Sequence, residues 1–100
     1  GAEAKYLLAD CYFHLGAMDM AEQEIMSFTQ MQTSQQYWLA RSLILLSDIN
    51  VERGDLFQAK QYLLALQTNY HQQDDIQTML ITRLEHIAQQ EQTEQKEDEL

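Results

Sequence analysis

The amino-acid sequence matches itself at an offset of 38 residues. Gly16 and Gly54 stand at this spacing, and small, apolar and acidic residues recur around them in the same order. The other matched pairs are Ala2 with Ala40, Leu7-Leu8 with Leu45-Leu46, Asp10 with Asp48, Ala21 with Ala59, Gln23 with Gln61, Ile25 with Leu63, and Phe28 with Leu66. A single helical hairpin cannot bury its apolar face alone, so this pattern predicts hairpins that stack on one another.

The spacing of the apolar residues predicts five helices. Helical periodicity runs through residues 2–15, 20–31, 35–53 and 56–69, and a fifth helix starts near residue 75 and fades after residue 90. The chain has no proline and three glycines, which is too few turn residues for an all-β domain of this size. The third segment is apolar on most sides, as is typical of a helix packed between neighbours. We therefore predict an all-α fold.

Four capping patterns mark the starts of the last four predicted helices. In such a pattern a side-chain oxygen accepts a hydrogen bond from a free backbone amide of the first turn, and a Glu or Gln three residues later returns the bond. The patterns are Asp19–Glu22, Thr33–Gln36, Asp55–Gln58 and Asp74–Gln77. Gly16 and Gly54 follow the first and third helices, where a left-handed residue commonly ends a helix.

The charge distribution disfavours one class of partner. The chain carries 16 acidic and 6 basic residues, and eight of the acids lie within residues 71–100. Such a surface repels phosphate backbones, so we expect no nucleic-acid partner. No apolar run approaches the ~18 residues of a membrane span, so we expect no membrane insertion. The first residues lack a signal-peptide layout, and the compartment, cytoplasmic or associated with the cell envelope, stays open.

The repeated unit resembles the tetratricopeptide repeat family, and more closely its looser versions in bacterial multi-repeat proteins. The family's pattern positions are filled by Leu8, Ala9, Tyr12, Gly16, Ala21, Ile25 and Phe28 in the first unit, and by Leu46, Ser47, Asn50, Gly54, Ala59, Leu63 and Leu66 in the second. The resemblance covers roughly residues 2–70. The sequence departs from the pattern in its offset of 38 residues instead of about 34, in the missing proline after the second helix, and in Asn50, where an aromatic residue is usual.

This resemblance implies an α-solenoid of antiparallel hairpins whose first helices line a concave, protein-binding groove. The implied groove residues are Glu3, Tyr6, Asp10, Phe13, His14, Arg41, Ile44, Asp48, Val51 and Glu52. The Lys/Asn clamp with which some family members hold a peptide carboxylate is absent here. The aromatic and aliphatic groove residues, flanked by Asp10 and Asp48, would suit an apolar or basic segment better than a peptide carboxylate. The alternative is that these residues pack on an adjacent repeat.

No constellation of residues indicates catalysis or metal binding. Ser27, Ser42 and Ser47 fall inside predicted helices, without the strand-to-helix elbow or glycine-rich loop of nucleophilic sites. Cys11 and His14 share one helix, but a structural zinc site needs about four ligands, and Cys11 is better interpreted as a small core residue. We predict no catalytic, cofactor-binding or metal-binding residues, and no enzyme.

These inferences define one domain and a tail. Residues 1–90 form the helical repeat domain, with hairpins at 2–31 and 35–69 and a capping helix at 75–90, and residues 91–100 form a frayed or disordered Gln/Glu-rich tail. The expected function is a protein-interaction scaffold that binds a protein, a peptide or adjacent repeats. Two alternatives remain open: a structural C-terminal cap of a longer array without its own groove, and a self-associating bundle such as a homodimer.

Overall fold

The computed structural model describes residues 1–29 and 35–99, and in these it contains five α-helices and no strand. The helices are α1 (Ala2–His14), α2 (Met18–Thr29), α3 (Gln36–Glu52), α4 (Leu56–Asn69) and α5 (Ile76–Asp98). The prediction of an all-α fold is confirmed for the described part of the chain. The predicted end of the first hairpin at residue 31 and the predicted cap at Thr33 lie outside the described residues.

The helices pack as two hairpins and a fifth helix. α1 packs on α2 and α3 on α4, across short turns that return the chain as an antiparallel neighbour. α3 also contacts α1 and α2, and α5 contacts α3 and α4 in the same way. Each odd-numbered helix after the first therefore lies on the hairpin that precedes it.

The two hairpin turns have the same backbone structure, 38 residues apart. Gly16 and Gly54 have φ angles of 79° and 81°, the left-handed conformation expected for a glycine after a helix end. The Gly16 amide bonds to the Phe13 carbonyl at 3.0 Å, and the Gly54 amide bonds to the Val51 carbonyl at 3.0 Å. α2 and α4 begin at equivalent positions, residues 18 and 56. The sequence repeat is thus also a repeat of local structure.

Two of the four predicted capping patterns form in part: Asp55 caps α4, whereas Asp74 and Gln77 form their bonds one residue before the N-cap of α5, which is Asp75. Asp55 Oδ1 accepts a hydrogen bond from the Gln58 amide at 3.1 Å. Asp74 Oδ1 accepts from the Ile76 amide at 3.0 Å, and Gln77 Oε1 accepts from the Asp74 amide at 3.1 Å. Asp19 behaves differently, because α2 begins one residue earlier and leaves Asp19 inside its first turn. There its carboxylate pairs with an arginine of the second hairpin instead of capping the helix.

Two apolar cores occupy equivalent places in the two hairpins. We call first core the cluster formed by Tyr6, Ala9, Ala21, Ile25, Leu45, Leu46 and Ile49. We call second core the cluster formed by Ala40, Ile44, Leu56, Ala59, Leu63, Leu66, Tyr70, Ile76, Leu80 and Ile87. The inward residues of α2, Ala21 and Ile25, correspond at the 38-residue offset to Ala59 and Leu63 of α4, and all four are at most 1% exposed. The repeat therefore specifies which residues of the second helix of each hairpin are buried.

Two features differ from the sequence-based expectation. α5 continues to Asp98, whereas the apolar pattern predicts an end near Gln90. The extension is exposed but rich in Glu, Gln and Lys, which favour helix without any packing. Cys11 is exposed and not part of a core, so its interpretation as a core residue was wrong. Its equivalent, Ile49, is fully buried because α3 has a hairpin on that side.

Tyr70 closes the end of α4 against the start of α5. Its ring is 9% exposed, and its hydroxyl donates a hydrogen bond to Asp74 Oδ2. Burial, followed by the hydrogen bond to Asp74 and the charge of that carboxylate, raises the pKa of Tyr70 from 10.0 to about 12. The neutral phenol is thus the form that the folded state prefers.

Replacing Gly54 with alanine tests the left-handed turn. An added Cβ would meet no atom within 4 Å, so the effect of Gly54→Ala comes from backbone conformation alone. We expect a loss of about 1–2 kcal/mol in the free energy of unfolding, measured by urea denaturation. Gly54→Asn is the control and should cost less, because asparagine tolerates this conformation. Equal stability of the alanine variant and the wild type would contradict the left-handed conformation of residue 54.

The raised pKa of Tyr70 predicts a stability loss at high pH. The contribution of Tyr70 is complete below its unfolded-state pKa of 10.0 and is lost as the pH rises to about 12. Urea unfolding across this range should show a steeper decline for the wild type than for Tyr70→Phe, which has no phenol to ionise. Parallel declines for the two proteins would show that burial and Asp74 do not hold the proton.

Candidate functional site

A groove lies where α1, α3 and α5 meet on one side of the molecule. Its volume is about 260 Å³. Each of the three helices contributes side chains to it, so the groove exists only in the packed structure. The lining residues are Tyr6, Asp10, Phe13 and His14 of α1, Arg41, Ile44, Leu45 and Asp48 of α3, and Met79 and Arg83 of α5.

Seven of the ten predicted groove residues line this one groove: Tyr6, Asp10, Phe13, His14, Arg41, Ile44 and Asp48. Glu3 and Glu52 are exposed outside it. Val51 packs against the second core and lines a separate depression with Gly54 and Leu56. Leu45, Met79 and Arg83 also line the groove and are not among the predicted residues. Extending the 38-residue offset from the predicted residues to the fifth helix would have found Met79, which is equivalent to Arg41, but not Arg83, whose equivalent Leu45 was not predicted.

The floor of the groove is formed by core residues. Tyr6 is 8% exposed and Ile44 is 1% exposed, so neither offers much apolar surface to a partner. Phe13 and Met79 are half-buried at the groove walls. The apolar contact surface that the sequence suggested is therefore narrower than expected, and charged groups take a larger share of what a partner could touch.

Arg41 is held by aromatic side chains on both sides of the groove floor. Its guanidinium lies 4.9 Å from the centre of the Tyr6 ring and 5.9 Å from that of Trp38. It donates hydrogen bonds to the hydroxyls of Tyr6 at 3.1 Å and Tyr37 at 2.8 Å. Burial opposes its charged form, but the hydrogen bonds with Tyr37 and Tyr6 and their electrostatic effect leave the pKa of Arg41 raised overall. Arg41 thus stays charged and links α3 to α1.

The same network continues to α5. The Tyr37 hydroxyl donates to Asp75 Oδ1 at 2.9 Å, and the Arg41 guanidinium lies 4.0 Å from the Asp75 carboxylate. Asp75 directly precedes the first residue of α5. One arginine therefore connects the three helices that form the groove, with tyrosine hydroxyls as intermediates.

A second connection joins α3 and α5 across the groove. Arg83 Nε donates to Asp48 Oδ1 at 3.2 Å, and Arg83 Nη2 donates to Asp48 Oδ2 at 3.1 Å. The Asp48 and Arg83 side chains are 23% and 32% exposed. This two-point geometry fixes both the distance and the orientation of the two helices. It also neutralises Asp48, which was predicted from the sequence to be an available acidic group.

The accessible polar group at the rim of the groove is the pair of Asp10 and His14. Asp10 Oδ1 lies 3.3 Å from His14 Nε2, one helical turn away on α1. The two side chains are 32% and 70% exposed, so a partner can reach both. With Asp48 matched by Arg83 and Arg41 held among tyrosines, Asp10 is the carboxylate in this groove that is best placed to meet a cationic group.

The described residues contain no further chemical centre of the kinds considered above. No three His, Cys, Asp or Glu side chains converge there to hold a metal ion. Among the described helices, none has both the length and the apolar character required to cross a membrane. The groove is accordingly described by its shape, its hydrogen bonds and its charges.

Comparison of the chain with protein-family models, with curated proteins and with solved structures found no match.

A double-mutant cycle tests whether Asp48 and Arg83 join α3 to α5. For Asp48→Asn and Arg83→Gln, urea unfolding should give a coupling of about 1 kcal/mol, at the upper end for exposed pairs because both groups are partly buried. The matched control is Lys60 with Glu91, which also crosses to α5 at 3.4 Å but is 41% and 45% exposed. We expect its coupling to stay below about 0.3 kcal/mol. Equal couplings in the two cycles would refute the special role of the groove pair.

Proposed function

We propose that this protein is a tetratricopeptide-like α-solenoid that binds a peptide segment of a protein partner in the groove between α1, α3 and α5. The observation that carries the proposal is the convergence of seven predicted residues on one groove lined by the first helix of each hairpin and by α5. The repeated turns and the equivalent cores support the solenoid part of the proposal.

The size of the groove favours a peptide over a small molecule. Its volume of about 260 Å³ falls below the ~300–1,000 Å³ of typical small-molecule sites, and three helices line it. An extended or helical segment could place one or two side chains into such a depression while the rest of it follows the surface. Rigid connections through Arg41 and Arg83 suit this role, because a preorganised groove loses little conformational entropy when a partner binds.

The charges favour a segment that combines apolar and basic residues. Phe13 and Met79 supply apolar walls, and Asp10 supplies an accessible carboxylate at the rim. The net charge of −10 attracts a cationic segment before contact. A free carboxylate on the partner has less to gain here, because the two arginines of the groove already have tyrosine or aspartate partners.

One observation favours the alternative role as the end of an array. Ala9 of α1 and Ser47 of α3 occupy equivalent positions and are 1% and 0% exposed, because α2 and α4 pack near them. The equivalent residue of α5 is Glu85, which is exposed. A glutamate at this position does not favour a further packed helix, which is consistent with a terminal helix, although Ile81 one turn earlier is 53% exposed. In this role the groove would need no peptide.

Selection of peptides from a displayed random library on the immobilised chain distinguishes the two roles. We expect selected peptides to be rich in apolar and basic residues. Asp10→Lys should weaken their binding about tenfold or more, equivalent to ~1.4 kcal/mol, because it places a like charge at the rim. The affinity is measured by titration with a selected peptide.

The matched control is Glu24→Lys, which makes the same charge change on α2, away from the groove residues. It should leave the affinity within about twofold, apart from the general effect of net charge that both variants share. Failure to select any peptide, or an equal loss for both variants, would contradict the groove proposal and favour the terminal-cap role.

A further inference from the structure

The outer face of α1 is apolar and exposed. Leu7 and Leu8 are 48% and 43% exposed, and Ala4 and Cys11 are exposed beside them. These four residues follow the spacing of one helix face, which borders the groove residues Asp10 and His14 of the same helix. Exposed leucines at this density on a small protein indicate a surface that is covered in some state.

The equivalent face of α3 is fully buried. At the 38-residue offset Ala4, Leu7, Leu8 and Cys11 correspond to Ser42, Leu45, Leu46 and Ile49, which are 1%, 3%, 2% and 0% exposed. The three apolar residues of this set belong to the first core, where they pack with Ala9, Ala21 and Ile25 of the first hairpin. This is the face by which α3 lies on α1 and α2.

α5 repeats the same contact one unit later. Its residues at the equivalent positions are Leu80, Arg83, Leu84 and Ile87. Leu80 and Ile87 are buried in the second core with Ala59 and Leu63 of α4, and Leu84 packs against that core. The same helix face therefore docks twice on a hairpin with small and branched residues at fixed positions. α1 carries the same face without such a hairpin in the described structure.

We propose that the outer face of α1 docks a further helical hairpin of the α1–α2 pattern, stacked in line with the two hairpins of this chain. The partner hairpin presents small residues in the places of Ala9 and Ala21 and a branched apolar residue in the place of Ile25. Leu7, Leu8 and Cys11 then become buried as Leu45, Leu46 and Ile49 are. The proposal rests on the repeat architecture but does not require the groove to bind a peptide.

A second copy of this chain does not provide the required surface. The receiving surface of its first hairpin is covered by α3, and that of its second hairpin is covered by α5. A copy could offer either surface only by releasing a packed helix and exposing a core. We therefore infer that the partner of the outer face of α1 is a separate hairpin whose receiving surface is not covered by a helix of its own chain.

The test uses a tandem protein in which a duplicate of residues 1–38 is placed directly before the full chain. The duplicate carries Cys11→Ser, so the original Cys11 is the single thiol. At the junction, Gly1 of the full chain is replaced (Gly1→Leu), because the residue that follows the first 38 residues of the natural chain is Leu39. We expect the rate of thiol labelling at Cys11 to fall at least about tenfold relative to the 100-residue chain, because labelling then requires the docked hairpin to open. Helical circular dichroism should rise in proportion to the added hairpin.

The control is Leu8→Glu in the original α1 of the tandem. It places a charge in the proposed contact and should restore fast labelling, whereas in the 100-residue chain, where Leu8 is exposed, helicity and melting temperature should hardly change. Unchanged labelling in the tandem, with or without added helicity, overturns the proposal. Concentration-dependent protection of Cys11 in the 100-residue chain also overturns it, because a second copy would then be the occupant.

Discussion

The packing of α3 between the two cores is the constraint on which the rest of the structure depends. One side of α3 contributes Leu45, Leu46 and Ile49 to the first core, and another contributes Ala40 and Ile44 to the second. Three polar side chains of α3 are buried, and two of them, Ser42 and Asn50, are satisfied within the helix, whereas Ser47 Oγ has no hydrogen-bond partner among the described residues. Ser42 donates to the Trp38 carbonyl at 2.8 Å, and Asn50 donates to the Leu46 carbonyl at 3.1 Å. Both bonds stay within α3, so polar residues can enter the core without a partner on another helix.

Hydrogen bonds and ion pairs fix the relative orientation of the helices that apolar packing brings together. The cores bring α1, α3 and α5 together, but apolar contacts alone tolerate small rotations of one helix against another. Arg41 with Tyr6 and Tyr37, and Arg83 with Asp48, add directional contacts at the surface of these cores. At the hairpin turns, Arg53 pairs with Asp19 and Glu22 and joins the two hairpins. Three of the few basic residues of this acidic chain thus join helices to one another.

The relation between the groove and the outer face of α1 follows from the repeat itself. An odd-numbered helix has one face toward its preceding hairpin, one toward its own partner helix and one toward the groove. In α3 all three are defined by neighbours within the chain. In α1 the first is exposed, and in α5 the second carries Glu85. The outer sides of α1 and α5 therefore differ at equivalent positions, with exposed leucines on α1 and an exposed glutamate on α5.

Some features of this protein were determined by the sequence alone. The all-α fold, the left-handed glycines at residues 16 and 54, the bounds of α4 and the cap at Asp55 follow from local propensity and from the 38-residue repeat, because each depends on residues close in the chain. The assignment of residues of α1 and α3 to a common groove came from the resemblance to a repeat family whose first helices line such a groove.

Only the tertiary structure decided which of those residues are accessible and how they are paired. Tyr6 and Ile44 are buried, and Asp48 is paired with Arg83, by neighbours that are distant in sequence. Cys11 is exposed because no such neighbour covers it in the described structure. The same residue position is buried in α3 and exposed in α1 because a hairpin lies on one and not on the other. Periodicity specifies the direction in which a side chain points, whereas the packing of other helices specifies what it meets there.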